Sequence, residues 1–253
     1  MAITIDLTGK TALITGGTMG IGAAIGHELH RAGANLILTG VEEQEQIDRF
    51  NEEVLKRGIS NIQYVRVNFV DQDSINSFFD FLDTKTKIDI CVNNAGTNRN
   101  NPIDKINESD YDLLLKVNLK APFLITRYLS KRMKEANYGR IVNIASIWGI
   151  KSRAGRASYT ITKSGIIGLT KTSSIELAPF NVLVNAVSPG FTMTELTMKT
   201  LPEKEFNELK AIVPAQRFAQ PEEIAKLVLF LVSDLNTYIT GQNIAIDGGF
   251  TNV

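Results

Sequence analysis

Short apolar segments rich in β-branched residues alternate along the chain with longer segments in which apolar residues recur every three to four positions. The short segments have the length of buried strands, and the longer ones have the period of amphipathic helices. Seven strands are predicted, at TALIT (11–15), NLILT (35–39), IQYVRV (62–67), IDICV (88–92), RIVNIA (140–145), VLVNAV (182–187) and NIAIDG (243–248). This alternation predicts the α/β class, with a parallel, doubly wound seven-stranded sheet flanked by helices.

The chain is expected to form one domain over residues 1–253, because no repeat, low-complexity tract or Pro-rich linker divides it. An α/β chain of this length commonly builds a single large core. One segment, MTELTMKTLPEKEFNELKAIVPAQRFAQPE (193–222), is a polar helical insertion between the sixth strand and the next long helix. Because it follows the carboxyl end of a strand, we predict that it forms a small helical lid over a substrate site.

Charge and hydropathy narrow the classes of partner. Lys and Arg together number 27, as do Asp and Glu, so the formal net charge is zero, and the pI is about 6.8. This balance gives no general attraction to nucleic acid or to an anionic membrane. No segment has the roughly 18 apolar residues needed to span a bilayer, and the N-terminus lacks a basic segment followed by an apolar run. We expect a cytoplasmic protein with a small-molecule substrate, and neither nucleic acid nor membrane as a partner.

Three features are assigned structural roles. Cys91 lies within the apolar run of the fourth predicted strand, where a free thiol behaves as a small hydrophobic side chain. His27 and His30 lie on the first helix with no cluster of ligands at metal-binding spacing, so they are expected to be exposed and no metal site is predicted. The segment VEEQEQIDRFNEEVLKRG (41–58) has charges at helical spacing and is predicted to form a solvated helix face.

A glycine-rich turn follows the first predicted strand, with the sequence TGGTMGIG (15–22). Glycine permits a tight turn and a close approach of backbone N–H groups to a pyrophosphate, and the helix that follows presents the positive end of its dipole. A turn of this kind is weak information alone, but its position after the first strand of an alternating α/β pattern indicates a dinucleotide site.

Three other strands also end in small or polar residues. The fourth ends in Asn93-Asn94-Ala95-Gly96, the fifth at Ser146 and the sixth at Ser188-Pro189-Gly190. Because the carboxyl ends of parallel strands share one edge of the sheet, these motifs are expected to converge with the glycine-rich turn.

Tyr159 and Lys163 are four residues apart in SYTITKSG, within a helix predicted over residues 158–178. They therefore share one helix face, and a cation beside the phenol is expected to lower its pKa from about 10 by one to three units. A tyrosine in that state donates and accepts a proton readily. Ser146 is placed to bond a substrate oxygen beside it, and Asn118 to complete a polar relay to Lys163. An isolated Tyr-x-x-x-Lys pair is common on surfaces, but this ordered combination is rare.

Together these motifs, from TGGTMGIG and NNAG to the Tyr159–Lys163 pair, resemble the short-chain dehydrogenase/reductase family over almost the entire chain. The resemblance implies a Rossmann-type fold and a ketone–alcohol oxidoreductase that uses NAD(H) or NADP(H). It further implies that Tyr159 is the acid/base, that Lys163 lowers its pKa and binds the nicotinamide ribose, that Ser146 orients the substrate oxygen and that Asn118 supports a proton relay. The predicted cofactor contacts are Thr15, Gly16, Thr18, Met19, Gly20, Ile21, Gly22, Gly40, Val41, Asn68, Phe69, Asn94, Ala95, Gly96, Tyr159, Lys163, Pro189, Gly190, Thr192 and Thr194.

Within that family the chain is most similar to the 3-oxoacyl-[acyl-carrier-protein] reductases, and the resemblance implies a homotetramer. Two positions depart from those enzymes, because the basic residues that dock the acidic carrier protein correspond to Asn137 and Ile175 here. Instead, Arg153 and Arg156, with Lys151, follow Ser146 near the expected substrate entrance. A solvated loop explains them, but so does an anionic substrate such as a sugar acid, a phosphorylated sugar or a sugar nucleotide. Trp148 either walls the substrate pocket or belongs to the core.

The positions expected to select the cofactor hold neither the basic residue nor the Asp that members of the family commonly use. Met19 and Val41 stand where NADP-preferring members have a basic residue, and Gly40 stands where NAD-preferring members have Asp. Glu42 and Glu43 follow and would repel the additional phosphate of NADP, which favours NAD(H) weakly. A non-catalytic cofactor-binding sensor or assembly protein is the rival interpretation. It does not require the set Asn118, Ser146, Tyr159 and Lys163, whereas an oxidoreductase does.

Overall fold

The computed structural model describes residues 4–85 and 87–253, with the side chains of residues 196 and 200 outside that description. Residues 1–3, part of the N-terminal stretch considered above for a targeting segment, lie outside the described ranges. Within those ranges, no helix has both the length and the apolar character needed to cross a membrane.

A parallel sheet of seven strands forms the centre of the molecule, as predicted. The strands are β1 (Thr11–Ile14), β2 (Asn35–Gly40), β3 (Ile62–Arg66), β4 (Ile90–Asn93), β5 (Gly139–Ile144), β6 (Val182–Pro189) and β7 (Asn243–Ile246). Their order across the sheet is β3-β2-β1-β4-β5-β6-β7, and every neighbouring pair is parallel. Each of the seven predicted strands is confirmed, with ends that shift by no more than a few residues.

This strand order positions the site. The chain moves outward from β1 through β2 to β3, then returns to place β4 on the other side of β1. A crevice opens at the carboxyl ends of the strands where the direction of winding reverses, and ligands bind there in open α/β sheets. In this molecule the reversal lies between β1 and β4, which pair from Ala12 with Ile90 to Ile14 with Val92.

Helices cover both faces of the sheet. They are α1 (Gly20–Arg31), α2 (Gln44–Lys56), α3 (Gln72–Asp83), α4 (Glu108–Leu115), α5 (Ala121–Glu135), α6 (Ala157–Leu177), α7 (Glu195–Thr200), α8 (Glu203–Ala211) and α9 (Pro221–Val232). A five-residue π-helical turn, Lys116–Lys120, joins α4 to α5. The helix expected over 158–178 is α6, and the charged run 41–58 forms α2, which buries only Ile47.

Alternation along the strands divides the core into two layers. On β1, Ile14 faces the layer that packs against α1 and α9, whereas Leu13 faces the layer under α3 and α5. Successive strand residues point to opposite faces, and both faces of a parallel sheet are covered. This explains why the strands read as continuous apolar runs. Cys91 is buried in the second layer, so its predicted structural role is confirmed, and burial raises the pKa of its thiol to about 12.

The insertion after β6 contains α7 and α8 and is tied to the body at its base. The Met193 N–H donates to the carbonyl of Ala219 over 2.8 Å, and the Ala219 N–H donates to that of Phe191 over 2.9 Å. Beyond this base, Phe206 of α8 packs on Phe218, with 4.7 Å between ring centroids. The insertion is therefore a short helical arm held at both ends, at the carboxyl side of the sheet.

Candidate active site

A cleft of about 530 Å³ opens at the carboxyl edge of the sheet, above β1, β2 and β4. Most of the predicted cofactor contacts line it, and they are Gly16, Thr18, Met19, Gly20, Ile21, Gly22, Gly40, Val41, Asn68, Phe69, Asn94, Ala95, Gly96 and Thr194. The expected convergence is therefore present for the glycine-rich turn and the end of β4, whereas Ser146 and residues 188–190 do not line the cleft. The size of the cleft is that of a small-molecule site.

The glycine-rich turn is held against the end of β4 by reciprocal hydrogen bonds. The Thr15 hydroxyl accepts from the N–H groups of Asn94 (3.0 Å) and Ala95 (2.9 Å). The Asn94 amide donates in return to the carbonyls of Thr15 and Gly16, each over 2.9 Å. Thr15 was predicted as a cofactor contact, but its side chain is buried in this junction and does not line the cleft. Its hydroxyl fixes the turn.

The turn leaves the N-terminus of α1 open to the cleft. Gly16 and Gly20 have φ values of +62° and +55°, which L side chains rarely adopt. Met19, the residue before the helix, supplies no side-chain cap to the first N–H groups of α1. Those groups have no partner within the helix. An unsatisfied helix N-terminus in a cleft favours a phosphate or another anion.

Glu42 reaches into the cleft from the loop after β2. Its Oε1 accepts a hydrogen bond from the Thr18 hydroxyl over 2.5 Å, whereas its Oε2 is buried and has no hydrogen-bond partner among the described residues. The carboxylate occupies the space that a side chain at position 40 would fill, since a Cβ on Gly40 would lie 1.9 Å from Oε2. Sequence reasoning placed Glu42 just after the strand end, as a charge that repels an added phosphate, and missed its contact with Thr18. A glycine at the strand end, followed two residues later by an acid, was the signal available.

Asn68 and Phe69 line the cleft from the end of β3. The Asn68 N–H donates to the Ser74 hydroxyl over 2.9 Å, and the Asn68 side-chain oxygen accepts from the Val70 N–H over 3.1 Å. Phe69 is buried and meets Phe78 edge-on, with 6.3 Å between ring centroids. The position of the loop therefore depends on the Asn68 side chain.

Tyr159 and Lys163 share one face of α6, as predicted. The Lys163 ammonium is buried, donates to the carbonyl of Ile144 at the end of β5 over 2.8 Å, and lies 5.6 Å from the centroid of the Tyr159 ring. It also adjoins the cleft, because a Cβ on Gly96 would lie 3.7 Å from its nitrogen. Burial lowers the pKa of Lys163 to about 8.

The expectation that Lys163 lowers the pKa of Tyr159 is wrong for this geometry. Burial raises the Tyr159 pKa above its ordinary value of 10.0, and this effect exceeds the lowering by the Ser146 side chain and by the charge of Arg156. The charge of Arg156, three residues before Tyr159, is the one that favours the phenolate in this balance, and the Lys163 ammonium remains close to the ring. Since the pKa is raised, the Tyr159 hydroxyl is protonated at neutral pH.

Asn118 lies in the π-helical turn between α4 and α5 and is buried. Its side-chain oxygen accepts from the Thr97 N–H and its amide donates to the Thr97 carbonyl, each over 2.8 Å, and the amide also reaches the Thr162 hydroxyl over 3.3 Å. No hydrogen bond in the described ranges joins it to Lys163 directly, as the expected relay would need. Asn118 instead holds the strand-end loop against α6. A π turn inside a helix is often a functional feature.

The residues expected at the end of β6 divide into structural and cleft-lining ones. The Gly190 N–H donates to the Ile246 carbonyl over 2.9 Å, and the buried Thr192 hydroxyl donates to the Gly190 carbonyl over 3.1 Å. Pro189, the last residue of β6, is buried. Only Thr194 lines the cleft, where its hydroxyl also accepts from the Thr197 N–H at the start of α7. Thr194 therefore contributes to the wall of the cleft, and the other three residues hold the backbone that leads to it.

Trp148 lies after Ser146, where aromatic side chains gather at the mouth of the site. The Ser146 hydroxyl accepts from the Trp148 N–H over 3.1 Å, and the buried indole meets Phe191 and Phe250 edge-on at 6.2 and 5.8 Å. Of the two alternatives for Trp148, the structure supports core packing, since the indole is buried and does not line the cleft. Sequence reasoning missed the two phenylalanines, because they are far from Trp148 along the chain and meet it only in the folded structure.

The three basic residues of the loop after Trp148 separate in the structure. The guanidinium groups of Arg153 and Arg156 lie 5.6 and 5.4 Å from the Trp148 ring. The Lys151 ammonium instead donates to the carbonyls of Phe250 and of Val253 at the chain end. Lys151 was expected near the substrate entrance, but it anchors the C-terminal segment.

The histidines lie away from this edge. His27 is exposed as expected, but His30 is half-buried and its ring pairs with the Asn61 side chain over 3.1 Å. In residues 4–85 and 87–253, no group of three or more His, Cys, Asp or Glu side chains is placed to hold a metal ion.

The burial of the Lys163 ammonium predicts a pH dependence of stability. Its pKa is 10.5 when unperturbed and about 8 in the folded chain, so between these values the unfolded chain holds a proton that the folded chain has released. The free energy of unfolding therefore rises with pH across this interval. We expect the free energy of unfolding of wild type minus that of Lys163→Met, measured by denaturant titration, to increase from about pH 7 to about pH 9.5. A difference that is constant or falls would contradict the burial of a titrating ammonium.

The fold and the cleft together fit a dinucleotide-dependent oxidoreductase. A family model described as "Enoyl-(Acyl carrier protein) reductase" matches residues 16–251. The chain is 42% identical over 246 residues to the 3-oxoacyl-[acyl-carrier-protein] reductase FabG of Aquifex aeolicus, covering 97% of this chain and 98% of the relative. It is 40% identical over 244 residues to the protein of that name from Thermotoga maritima, covering 96% and 98%.

Solved structures agree with this relationship. One is described as a "putative gluconate dehydrogenase" from Agrobacterium tumefaciens, with a TM-score of 0.92, 32% identity and full coverage of both chains. Another is described as a "putative NAD(P) dependent gluconate 5-dehydrogenase" from Beutenbergia cavernae with bound NADP, with a TM-score of 0.90, 31% identity and coverage of 98% and 99%. The chain belongs to the short-chain dehydrogenase/reductase family and is an NAD(P)-dependent oxidoreductase that interconverts a ketone and an alcohol. The family, the fold class and the reaction class expected from the sequence are confirmed.

Proposed function

We propose that the enzyme works as a ketone reductase in which Tyr159 donates the proton and Ser146 orients the carbonyl oxygen. The observation that carries this proposal is the meeting of two hydroxyls, one after β5 and one in the first turn of α6. The same helix carries Lys163, whose ammonium adjoins the cleft. The Ser146 side chain acts on the Tyr159 phenol strongly enough to affect its pKa. A carbonyl oxygen between them would accept a hydrogen bond from each.

The cleft residues fit a nicotinamide dinucleotide. The open N-terminus of α1 and the glycines of the turn form a cradle that suits a pyrophosphate. The absence of a side chain at Gly16 is needed there, since a Cβ would lie 3.0 Å from the Ala95 Cα atom. Lys163, beside Gly96, would hold the ribose next to the reacting ring. When bound, the nicotinamide supplies the hydride for ketone reduction.

The protein's own part of the reaction is the movement and placement of one proton. As negative charge develops on the carbonyl oxygen, the Tyr159 hydroxyl transfers its proton to that oxygen and becomes a phenolate. The Ser146 hydroxyl donates a hydrogen bond to the same oxygen and stabilises its charge. Two cations stabilise the phenolate: the Arg156 guanidinium, from the residue three positions before Tyr159, and the Lys163 ammonium, from the residue four positions after it.

Because burial raises the pKa of Tyr159, its hydroxyl carries the proton that ketone reduction requires. A protonated phenol is ready to donate, whereas alcohol oxidation requires the phenolate to accept a proton. Asn118 acts as a positioning residue, since it holds the Thr97 backbone on one side and the Thr162 hydroxyl on the other.

NAD(H) is proposed as the preferred cofactor, on the strength of Glu42. Glu42 borders the cleft at the end of β2, and its buried Oε2 has no hydrogen-bond partner among the described residues. A rotation of the side chain would let this oxygen accept from an adenosine ribose hydroxyl. A 2′-phosphate there would add nearly two negative charges beside the carboxylate. Arg66 lies nearby, but it donates to the Glu42 carbonyl over 3.0 Å and pairs with Glu43 over 3.2 Å.

We expect kcat/KM to be at least about tenfold higher with NADH than with NADPH in wild type, and Glu42→Gln to reduce that ratio about tenfold. Replacement removes the charge that repels the phosphate while keeping a hydrogen-bonding group. Glu45→Gln, a charge change on the exposed side of α2, is the matched control. A higher efficiency with NADPH in wild type, or equal ratios in Glu42→Gln and wild type, would overturn the preference.

The substrate is proposed from two sources. The similarity to the Aquifex and Thermotoga reductases favours a 3-oxoacyl thioester. The exposed Asn137 and Ile175, the latter 77% exposed, place no positive charge where carrier-protein docking was expected. Two arginines in the loop after Trp148 and the names of the solved relatives favour a keto-sugar acid as the second candidate.

The test is the initial rate of reduced-nicotinamide oxidation with acetoacetyl thioesters and keto-sugar acids, and failure with every ketone would overturn ketone reduction.

Three further properties complete the proposal. Residues 193–222 act as a lid, and the attachment of this arm at its base supports that role.

The chain assembles as a homotetramer, and exposed apolar side chains on α5 and α6, of which Phe123 and Ile161 are examples, support that assembly. It works in the cytoplasm on a small molecule, without nucleic acid or membrane. Sedimentation analysis tests the assembly, and a monomer would contradict it.

A further inference from the structure

Two cations lie beside one indole ring in the segment between Ser146 and Tyr159. Arg153 and Arg156 lie 5.6 and 5.4 Å from the Trp148 ring, and the Arg156 side chain is half-buried, whereas Arg153 is exposed. A guanidinium over an aromatic face is held in place without losing its donors, because stacking leaves the N–H groups at the edge of the plane free.

The charge around these arginines is not balanced. Arg153 meets Glu205 of α8 over 3.8 Å. In the part of the chain that the structure describes, no carboxylate lies within 4.0 Å of the Arg156 guanidinium. Burial and the charge of Arg153 lower the pKa of Arg156, against weaker effects of Tyr159 and Glu205 in the opposite direction. Among the described residues, the two guanidinium groups of Arg153 and Arg156 therefore have one neighbouring carboxylate, that of Glu205.

The unbalanced charge lies beside the reacting group. Arg156 immediately precedes α6, one turn before Tyr159, and its charge reaches the phenol, whose pKa it lowers. An anion bound at Arg156 would consequently lie only a few bonds from a carbonyl oxygen that contacts Tyr159. The phosphates of an acyl thioester, at the far end of a long arm, do not satisfy this condition.

We propose that Arg153 and Arg156, beside Trp148, bind a carboxylate or phosphate that the substrate carries a few bonds from its ketone, and that Glu205 is the protein's own anion at this subsite until substrate displaces it. This rests on the proposed reduction of a ketone at Tyr159, and it assigns the substrate class and a role for the lid helix.

The ion pair of Glu205 is suited to displacement. Its 3.8 Å separation from Arg153 exceeds hydrogen-bonding distance, and both side chains are partly exposed. Such a pair contributes little, whereas a substrate anion held by two guanidinium groups makes several charge-assisted hydrogen bonds. The helix itself is anchored separately, by Phe206 against Phe218 and by the buried Leu209. The Glu205 side chain can leave the arginines without detaching α8.

The test compares matched substrates with and without the anion. Initial rates are measured with the preferred reduced cofactor for a keto-sugar acid, a ketose phosphate and a neutral ketose of similar length, and with a neutral acetoacetyl thioester. We expect kcat/KM of wild type to be highest for one of the anionic sugars. Comparison of the keto-sugar acid with the ketose phosphate identifies whether the subsite prefers a carboxylate or a phosphate.

Variants separate binding from structural effects. We expect Arg156→Gln to lower kcat/KM for the neutral ketose a few-fold, because the Tyr159 phenolate loses a stabilising charge. The loss for the anionic substrate should be roughly 10- to 100-fold greater than that. Arg156→Lys should restore part of the loss, since it returns the charge without the planar fork. Glu205→Gln should lower KM for the anionic substrate about two- to fivefold. Glu208→Gln, an exposed position on the same helix, should leave it unchanged.

The outcomes distinguish the subsite from the reaction. Equal losses with anionic and neutral ketones in Arg156→Gln would overturn the subsite, as would a higher efficiency with neutral ketones or thioesters in wild type. An unchanged KM in Glu205→Gln, relative to Glu208→Gln, would overturn the role of Glu205. In each case Tyr159-dependent reduction of a ketone stands. Failure of wild type to reduce any of the four substrates would instead remove the proposed function itself.

Discussion

Replacing Tyr159 with phenylalanine is expected to lower kcat at least about a hundredfold and to leave cofactor affinity within about twofold of wild type. The hydroxyl is the group proposed to donate a proton to the substrate oxygen. Phenylalanine keeps the ring that packs beside Lys163 but removes the proton. The measurements are steady-state rates at the reduced-nicotinamide absorbance band and titration of cofactor fluorescence.

Tyr238→Phe is the matched control for that experiment. This side chain is 94% exposed and far along the chain from the catalytic helix, so the same chemical change should leave the rate unchanged. The pH profile gives a second readout, because any remaining activity of Tyr159→Phe should lose the dependence on phenol ionisation. Retention of more than about a tenth of kcat in Tyr159→Phe would show that another group supplies the proton.

Replacing Gly22 with alanine is expected to destabilise the protein by about 1–3 kcal/mol and to weaken cofactor binding at least about tenfold. A Cβ at this position would lie 2.0 Å from the carbonyl oxygen of Gly16 and 2.5 Å from the Asn94 amide nitrogen. The clash is with backbone, so the turn must move. That movement breaks the hydrogen bonds that join the turn to the end of β4.

Gly168→Ala tests whether the effect belongs to the site or to glycine replacement in a helix. Gly168 lies within α6, and a Cβ there would have open space around it. Alanine has the higher helix propensity, so this variant should be as stable as wild type or more stable by up to about 1 kcal/mol. Chemical denaturation and cofactor titration of both variants give the comparison. Equal behaviour of the two would contradict the close approach of α1 to the turn.

The architecture was predictable because it depends on local patterns. The seven strands are apolar runs of β-branched residues, and both faces of a parallel sheet are buried, so each run is continuous. The convergence of the cleft residues follows from the same fact, since parallel strands end at one edge. The meeting of Ser146 with Tyr159 required only that β5 ends beside α6.

Side-chain environment was not predictable in the same way. The pKa of Tyr159 depends on how deeply the phenol is buried, and helical spacing from Lys163 contains no information on burial. Glu42 enters the cleft because Gly40 leaves room for it, which is a relation between two side-chain volumes in three dimensions. Lys151 turns to the chain end because residues about one hundred positions away supply carbonyl acceptors.

The measurement that tests the central claim most directly is isotope transfer from the cofactor. NADH deuterated at the transferring position of the nicotinamide is incubated with the enzyme and a ketone from the panel, and the product alcohol is analysed by mass spectrometry and NMR. The account predicts one deuterium per product molecule, located on the carbinol carbon, with formation abolished in Tyr159→Phe. Tight cofactor binding without any deuterated alcohol from any ketone would contradict it and would identify a protein that binds the dinucleotide without turning it over.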